Sequence, residues 1–112
     1  MYDNRKLGEM PRIEYYKSGS TDMVRLPYEV VEVSPGIFSW RELSIRYFDL
    51  NYGGIVSALI GLKYSPSEMT AIINNYLLDA EDADANAEFA EMQDYRKYVK
   101  TVAKQILADN KF

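Results

Sequence analysis

The sequence predicts an α+β fold that is mostly α. An N-terminal β-hairpin or small sheet comes first, a short helix or helices follow, and a C-terminal antiparallel helical hairpin closes the chain. Three observations predict it. MVRLPYEVVEV (23–33) is crowded with β-branched residues, which favour strands. SPSE (65–68) is a capping box with proline at the first helical position, a strong helix start. After each of two helix-start signals the apolar residues recur at spacings of three and four. A chain of 112 residues fits one domain, 1–112. We divide it into an extended arm (1–12), a β-rich segment (13–38) and a helical segment (39–112).

The arm is polar, with Gly8 and Pro11. IEYYK (13–17) reads as a short strand, and SGSTD (18–22) has turn chemistry. Pro27 interrupts the next run; lacking an amide hydrogen, it confines that run to an edge strand or to two short pieces. SPG (34–36) supplies the stop. In SWRELSIRYFDL (39–50), Ser39 and Glu42 form a capping box, and Trp40, Leu43, Tyr47 and Leu50 fall on one helical face. The rival reading is a strand, since Leu43, Ile45 and Tyr47 alternate with Ser44 and Arg46. Helix is the reading we favour. NYGG (51–54) breaks that element, and IVSALIGL (55–62) reads as a short buried helix whose small residues also suit self-association.

Ser65 caps the next helix, expected over 66–78, with Met69, Ile72, Ile73, Tyr76 and Leu77 as its apolar stripe. A last helix is expected to start between 82 and 87 and run to about 108. Its apolar positions are Phe89, Met92, Val99, Val102, Ala103 and Ile106. A short acidic link between two amphipathic helices predicts their antiparallel pairing.

Chemistry is sparse. The chain has neither histidine nor cysteine, which removes the commonest general base, the thiolate nucleophile and the commonest metal ligands. GEMPR and NYGGIV match neither phosphate-binding glycine pattern. Asp82, Asp84 and Asn86 alternate like the first ligands of a calcium loop. The sixth position is then Ala87 instead of glycine, and the twelfth Gln93 instead of glutamate. Asp82 or Asp84 as a helix cap explains the stretch better. No enzyme activity, cofactor or metal is expected.

The net charge is −4. Seven acidic residues and no basic one lie between Asp79 and Asp94; Arg96, Lys97, Lys100 and Lys104 then follow without an acid. Those four form a candidate basic face, read first as a solvated face. An acidic chain is a poor ligand for nucleic acid. The longest nearly apolar run, GGIVSALIGL, is too short to span a bilayer, so no membrane is expected. MYDNRKLGEMPR has no apolar core, so no secretory signal is expected. The expected location is cytoplasmic.

Ten tyrosines are many for so small a core, because each buried hydroxyl needs a partner. Exposed tyrosine favours protein contact. Tyr2, Tyr15, Tyr16, Tyr28, Tyr52 and Tyr98 are the interface candidates.

The second half carries Tyr64, Ser65, Glu68, Ala71, Ile72, Asn74 and Tyr76, then Tyr95, Arg96 and Lys100. In this it resembles small phage and prophage proteins of gut bacteria. The resemblance covers about 45 residues and implies a virion or virion-assembly component. The expected function is therefore a non-enzymatic structural or protein-interaction protein, with protein partners that include a second copy of itself. The alternative is a small acidic regulator or inhibitor that binds a host protein.

Overall fold

A computed structural model describes residues 5–110. Four antiparallel strands come first: β1 (Lys6–Gly8), β2 (Glu14–Ser18), β3 (Thr21–Ser34) and β4 (Ile37–Arg46), in the order β1-β4-β3-β2. A single 3-10 turn (Tyr47–Asp49) leads into three helices, α1 (Tyr52–Gly61), α2 (Pro66–Leu78) and α3 (Ala83–Asp109).

Two expectations need correction. Residues 39–50 are not a helix: they lie almost entirely in β4 and the 3-10 turn. The alternation wins because β3 offers a matching partner. Leu43 and Ile45 sit beside Leu26 and Val24 in the ladder, and all four are buried. Ser39 and Glu42 find tertiary partners instead of forming a capping box. The Ser39 hydroxyl accepts from Arg5 Nε at 2.8 Å, and Glu42 receives Arg25 at 3.2 Å. The β share is therefore larger than expected and runs eight residues past the predicted boundary at 38.

The C-terminal antiparallel helical hairpin is not shown either. Helix α2 has no buried residue. The buried residues of α3 include Val99, Val102, Ala103 and Ile106, which join one core cluster with Val24, Leu26, Leu43 and Ile45 of the sheet and Ile55 and Leu59 of α1. The buried residues of α3 lie mostly against the sheet and α1, while α2 meets α3 through the stack of Tyr76 on Phe89. The Tyr95 hydroxyl donates to the Leu59 carbonyl at 2.6 Å and ties α3 to α1.

Other elements follow their sequence signals. Ser65 Oγ accepts from the Glu68 amide at 3.1 Å, and the Ser65 amide donates to Glu68 Oε1 at 3.3 Å, completing the capping box. Asp82 caps α3 by accepting from the amides of Asp84 and Ala85, so the chain is helical where a calcium loop would have to unwind. Pro27 lies beyond Arg25, the last β3 residue that pairs with β2, so it sits where β3 is a sheet edge. The segment expected as an extended arm contains β1, which pairs with Phe38–Trp40; Tyr2 lies outside the described residues.

Candidate interaction surface

The β3–β4 hairpin is longer than the core needs. Its buried positions end at Tyr28 on β3. Beyond them the strands continue as an arm, residues 30–37, closed by a turn in which Gly36 takes φ +77°. Val31 and Val33 are 53% and 54% exposed, and Val30 and Ile37 are also open to solvent. Leu7, whose ladder partner is Ser39, is 71% exposed near the base of the arm. A β-rich apolar edge of this kind is a template for protein contact.

The base of the arm is pinned by charge. The ladder slips between Tyr28 and Val31, a bulge, and there Glu29 takes φ +51°. A side chain in that region costs on the order of 1 kcal/mol. Two guanidinium groups hold it: Glu29 Oε2 lies 3.0 Å from Arg41 Nε and 3.4 Å from Arg5 Nη1. Arg5 Nη2 also donates to the carbonyls of Glu29 at 2.6 Å and Ser39 at 3.0 Å. The bulge thus fixes the direction in which the arm leaves the sheet. Nearby, the Trp40 ring lies over Gly8, and its Nε1–H is buried without an acceptor.

Beside the arm runs a groove of about 780 Å³. Pro27 and Val30 on the free edge of β3 form one wall, the last turns of α3 from Thr101 to Asn110 form the other, and Met10 and Phe38 contribute apolar surface. At the other end of α3, Tyr76 of α2 stacks on Phe89 with ring centroids 4.1 Å apart. The adjacent Leu77 and Leu78 are 72% and 84% exposed.

The predicted site residues fall at different depths and on four elements. Tyr15 is exposed, with its ring 6.2 Å from that of Tyr47. Tyr16 is half-buried under the Arg25 guanidinium, 4.2 Å from its centroid. Tyr28 is in the core cluster and only 6% exposed, at the floor of the groove. Tyr52 and Tyr98 are partly open, and Tyr98 lies against Tyr95. The tyrosines therefore do not make one patch. Lys97, Lys100 and Lys104 are exposed on α3, while Arg96 is half-buried and donates to Gln93 at 3.4 Å.

Reasoning from sequence missed the arm, because apolar β-branched residues read as core. The usable signal was length: MVRLPYEVVEV exceeds what a thin sheet buries.

Lys63, just after α1, pairs with Glu91 of α3. Its Nζ lies 3.1 Å from Glu91 Oε1 and over the rings of Tyr64 and Tyr95. The hydrogen bond to Glu91 is the main cause that holds its pKa above the usual 10.5. A raised lysine pKa stabilises the fold fully below the unfolded value, and that contribution disappears as pH rises through the folded one. Both side chains are substantially exposed, so water screens the pair. Glu91→Gln is expected to return the Lys63 titration, read by NMR, toward its ordinary value. The accompanying stability loss should be below about 1 kcal/mol and vanish in high salt.

Among the described residues no cluster of three or more acidic side chains is placed to hold a metal ion, and no helix is long and apolar enough to cross a membrane. No family model, curated protein or solved structure matches the chain.

Proposed function

We propose that this chain is a non-enzymatic assembly protein, whose work is to be held between other protein subunits, its own copies included. The observation that carries this reading is the excess of exposed surface on a chain with so small a core. Its accessible area is 7699 Å², against about 6,300 Å² for a compact monomer of this mass. The radius of gyration is 16.6 Å, against about 13 Å for a compact domain of this length. The surplus of about 1,400 Å² is comparable to what a chain contributes to one or two standard interfaces. The exposed valines of the arm give it an apolar character suited to burial.

The likeness of the C-terminal half to small phage proteins is our ground for choosing a virion, or its assembly intermediates, as the setting. The partly exposed tyrosines support contact with protein.

Light scattering after size exclusion, over a wide concentration range, tests the reading. We expect a mass that rises to a defined multiple of 12.9 kDa. A constant monomer mass at every concentration, with no association through the arm, would sink it.

A further inference from the structure

The two strands of the arm differ in length between their fixed points. Tyr28 pairs with Arg41 where the core ends, and Ser34 pairs with Ile37 at the turn. Between these pairs β3 advances six residues and β4 four, so β3 carries two extra residues as bulges. Buried neighbours fix the Tyr28 end, and the turn with Gly36 at φ +77° fixes the other. Between them every β3 residue from Val30 to Ser34 is exposed. Register is weakly specified where neither face of a strand is buried. Local contacts therefore decide where the first extra residue sits.

Arg5 acts at that point. Standing next to β1, it reaches over β4 to β3. Its Nε donates to Ser39 Oγ at 2.8 Å, and its Nη2 donates to the carbonyls of Glu29 at 2.6 Å and Ser39 at 3.0 Å. A bulge disrupts the ladder locally, and here a guanidinium bridges the two strands across the gap. Glu29 Oε2 lies between Arg41 Nε and Arg5 Nη1, with the residue at φ +51°.

A second register has attractions of its own. With the extra residue moved toward the tip, Glu29 would face Trp40, Val30 would face Ser39, and Val31 would face Phe38. Glu29 would then leave the left-handed region, which is unfavourable for a side chain. Phe38 now faces Glu32; it would gain a β-branched neighbour instead, a favourable cross-strand pair.

We propose that Arg5 is a latch that sets the first bulge at residues 29–30, and with it the face of the arm that carries Val31. Latched, Val31 shares a face with Ser39, Arg41 and Leu43, the side of the sheet on which the core is built. Leu7, which also pairs with Ser39, lies in the same row. Released, Val31 turns to the face of Phe38 and Trp40, and Val30 takes its place beside Leu7. Because Arg5 adjoins β1, lifting β1 from β4 releases the latch and turns the arm. The device belongs to a single chain, so its failure leaves the assembly reading untouched.

Cross-strand proton contacts read by NMR test the latch, in wild-type protein and in Arg5→Ala. Arg5 is exposed, so its truncation opens no cavity in the core, and a thermal melt checks the fold. Wild type should show the Val31 backbone beside Ser39 and that of Glu32 beside Phe38. Arg5→Ala should lose both contacts and place Val31 beside Phe38. Adding Glu29→Gly to Arg5→Ala should restore the wild-type pairing, because glycine takes positive φ without strain. Arg5→Ala that keeps Val31 beside Ser39 overturns the latch, and so does a variant arm that shows neither pairing. A double variant that does not return to the Val31–Ser39 pairing overturns it as well, because Arg5 would then act through something other than the place of the bulge.

Discussion

Gly54→Ala is expected to cost about 3 kcal/mol or more and to lower the melting temperature by more than about 10 °C. The chain folds back on itself where the 3-10 turn meets α1. Asn51 caps the helix by accepting from the Gly54 amide at 2.8 Å, and the Asn51 amide donates to the Asp49 carbonyl at 2.8 Å. This double closure places the Asp49 carbonyl against the Gly54 Cα. A β-carbon there would overlap the Asp49 carbonyl oxygen and also crowd its carbonyl carbon, 2.8 Å away. These are backbone atoms, so no side-chain rotation relieves the overlap. Either the cap opens or α1 shifts, and α1 carries Ile55 and Leu59 into the core. Gly61→Ala at the other end of α1 is the control. Nothing lies within 4 Å of its added β-carbon, so the alanine should be neutral or stabilising by about 0.5–1 kcal/mol. Thermal melts of the two variants, side by side, check the pair.

Leu26→Ala carries the second large effect, about 2–5 kcal/mol. Leu26 is fully buried at the centre of β3, paired with Leu43 and facing the core that α1 and α3 complete. Removing three carbons leaves a cavity whose walls are anchored strands and helices, so little collapse is available. Total stability for a small domain is only about 5–15 kcal/mol, and this core is thin. The comparison with Leu78→Ala is informative. Leu78 is 84% exposed, so its loss should leave the monomer's denaturant midpoint within about 0.5 kcal/mol of wild type. Two leucines of equal hydrophobicity thus divide into one that holds the fold and one that is available for contact. Urea titrations separate them.

Local signals in the sequence were legible where chain neighbours decide the outcome. The capping box at Ser65, the proline at 66 and the Asp82 cap set the starts of α2 and α3 within the chain's own near neighbourhood. The β content of 23–33 was legible for the same reason. The 39–50 segment was misread because its period is ambiguous: Trp40, Leu43 and Tyr47 fit a helix as well as Leu43 and Ile45 fit a strand. What decided it is a distant partner, since Val24 and Leu26 supply a ladder and a buried face that no local rule contains. The helical hairpin failed similarly. The stripe on α2 is real and its Tyr76 stacks on Phe89, but most of the buried residues of α3 face α1 and the sheet, and Leu77 is left in solvent. The arm was invisible because a valine run carries no mark of whether anything covers it. The tyrosines were over-read: Tyr28 is core, and Tyr16 is half-buried beneath Arg25.

Arg25 illustrates how the open side of the sheet stays polar. It lies 2.6 Å from Glu14 and 3.2 Å from Glu42, and the Glu14 hydrogen bond raises its pKa further above the normal arginine range. The cross-strand charges on this side contrast with the uncharged valines of the arm, which is why the arm and its groove, rather than the sheet face, are assigned to contact.

The central claim is that the arm, the groove and the α2 end are surfaces covered by protein. Amide hydrogen exchange read by mass spectrometry, on wild-type protein at low and high concentration, tests it most directly. Exchange is expected to slow at high concentration in residues 30–37 and around 77–81, with the core strands unchanged. Identical exchange in both segments at every concentration would contradict it.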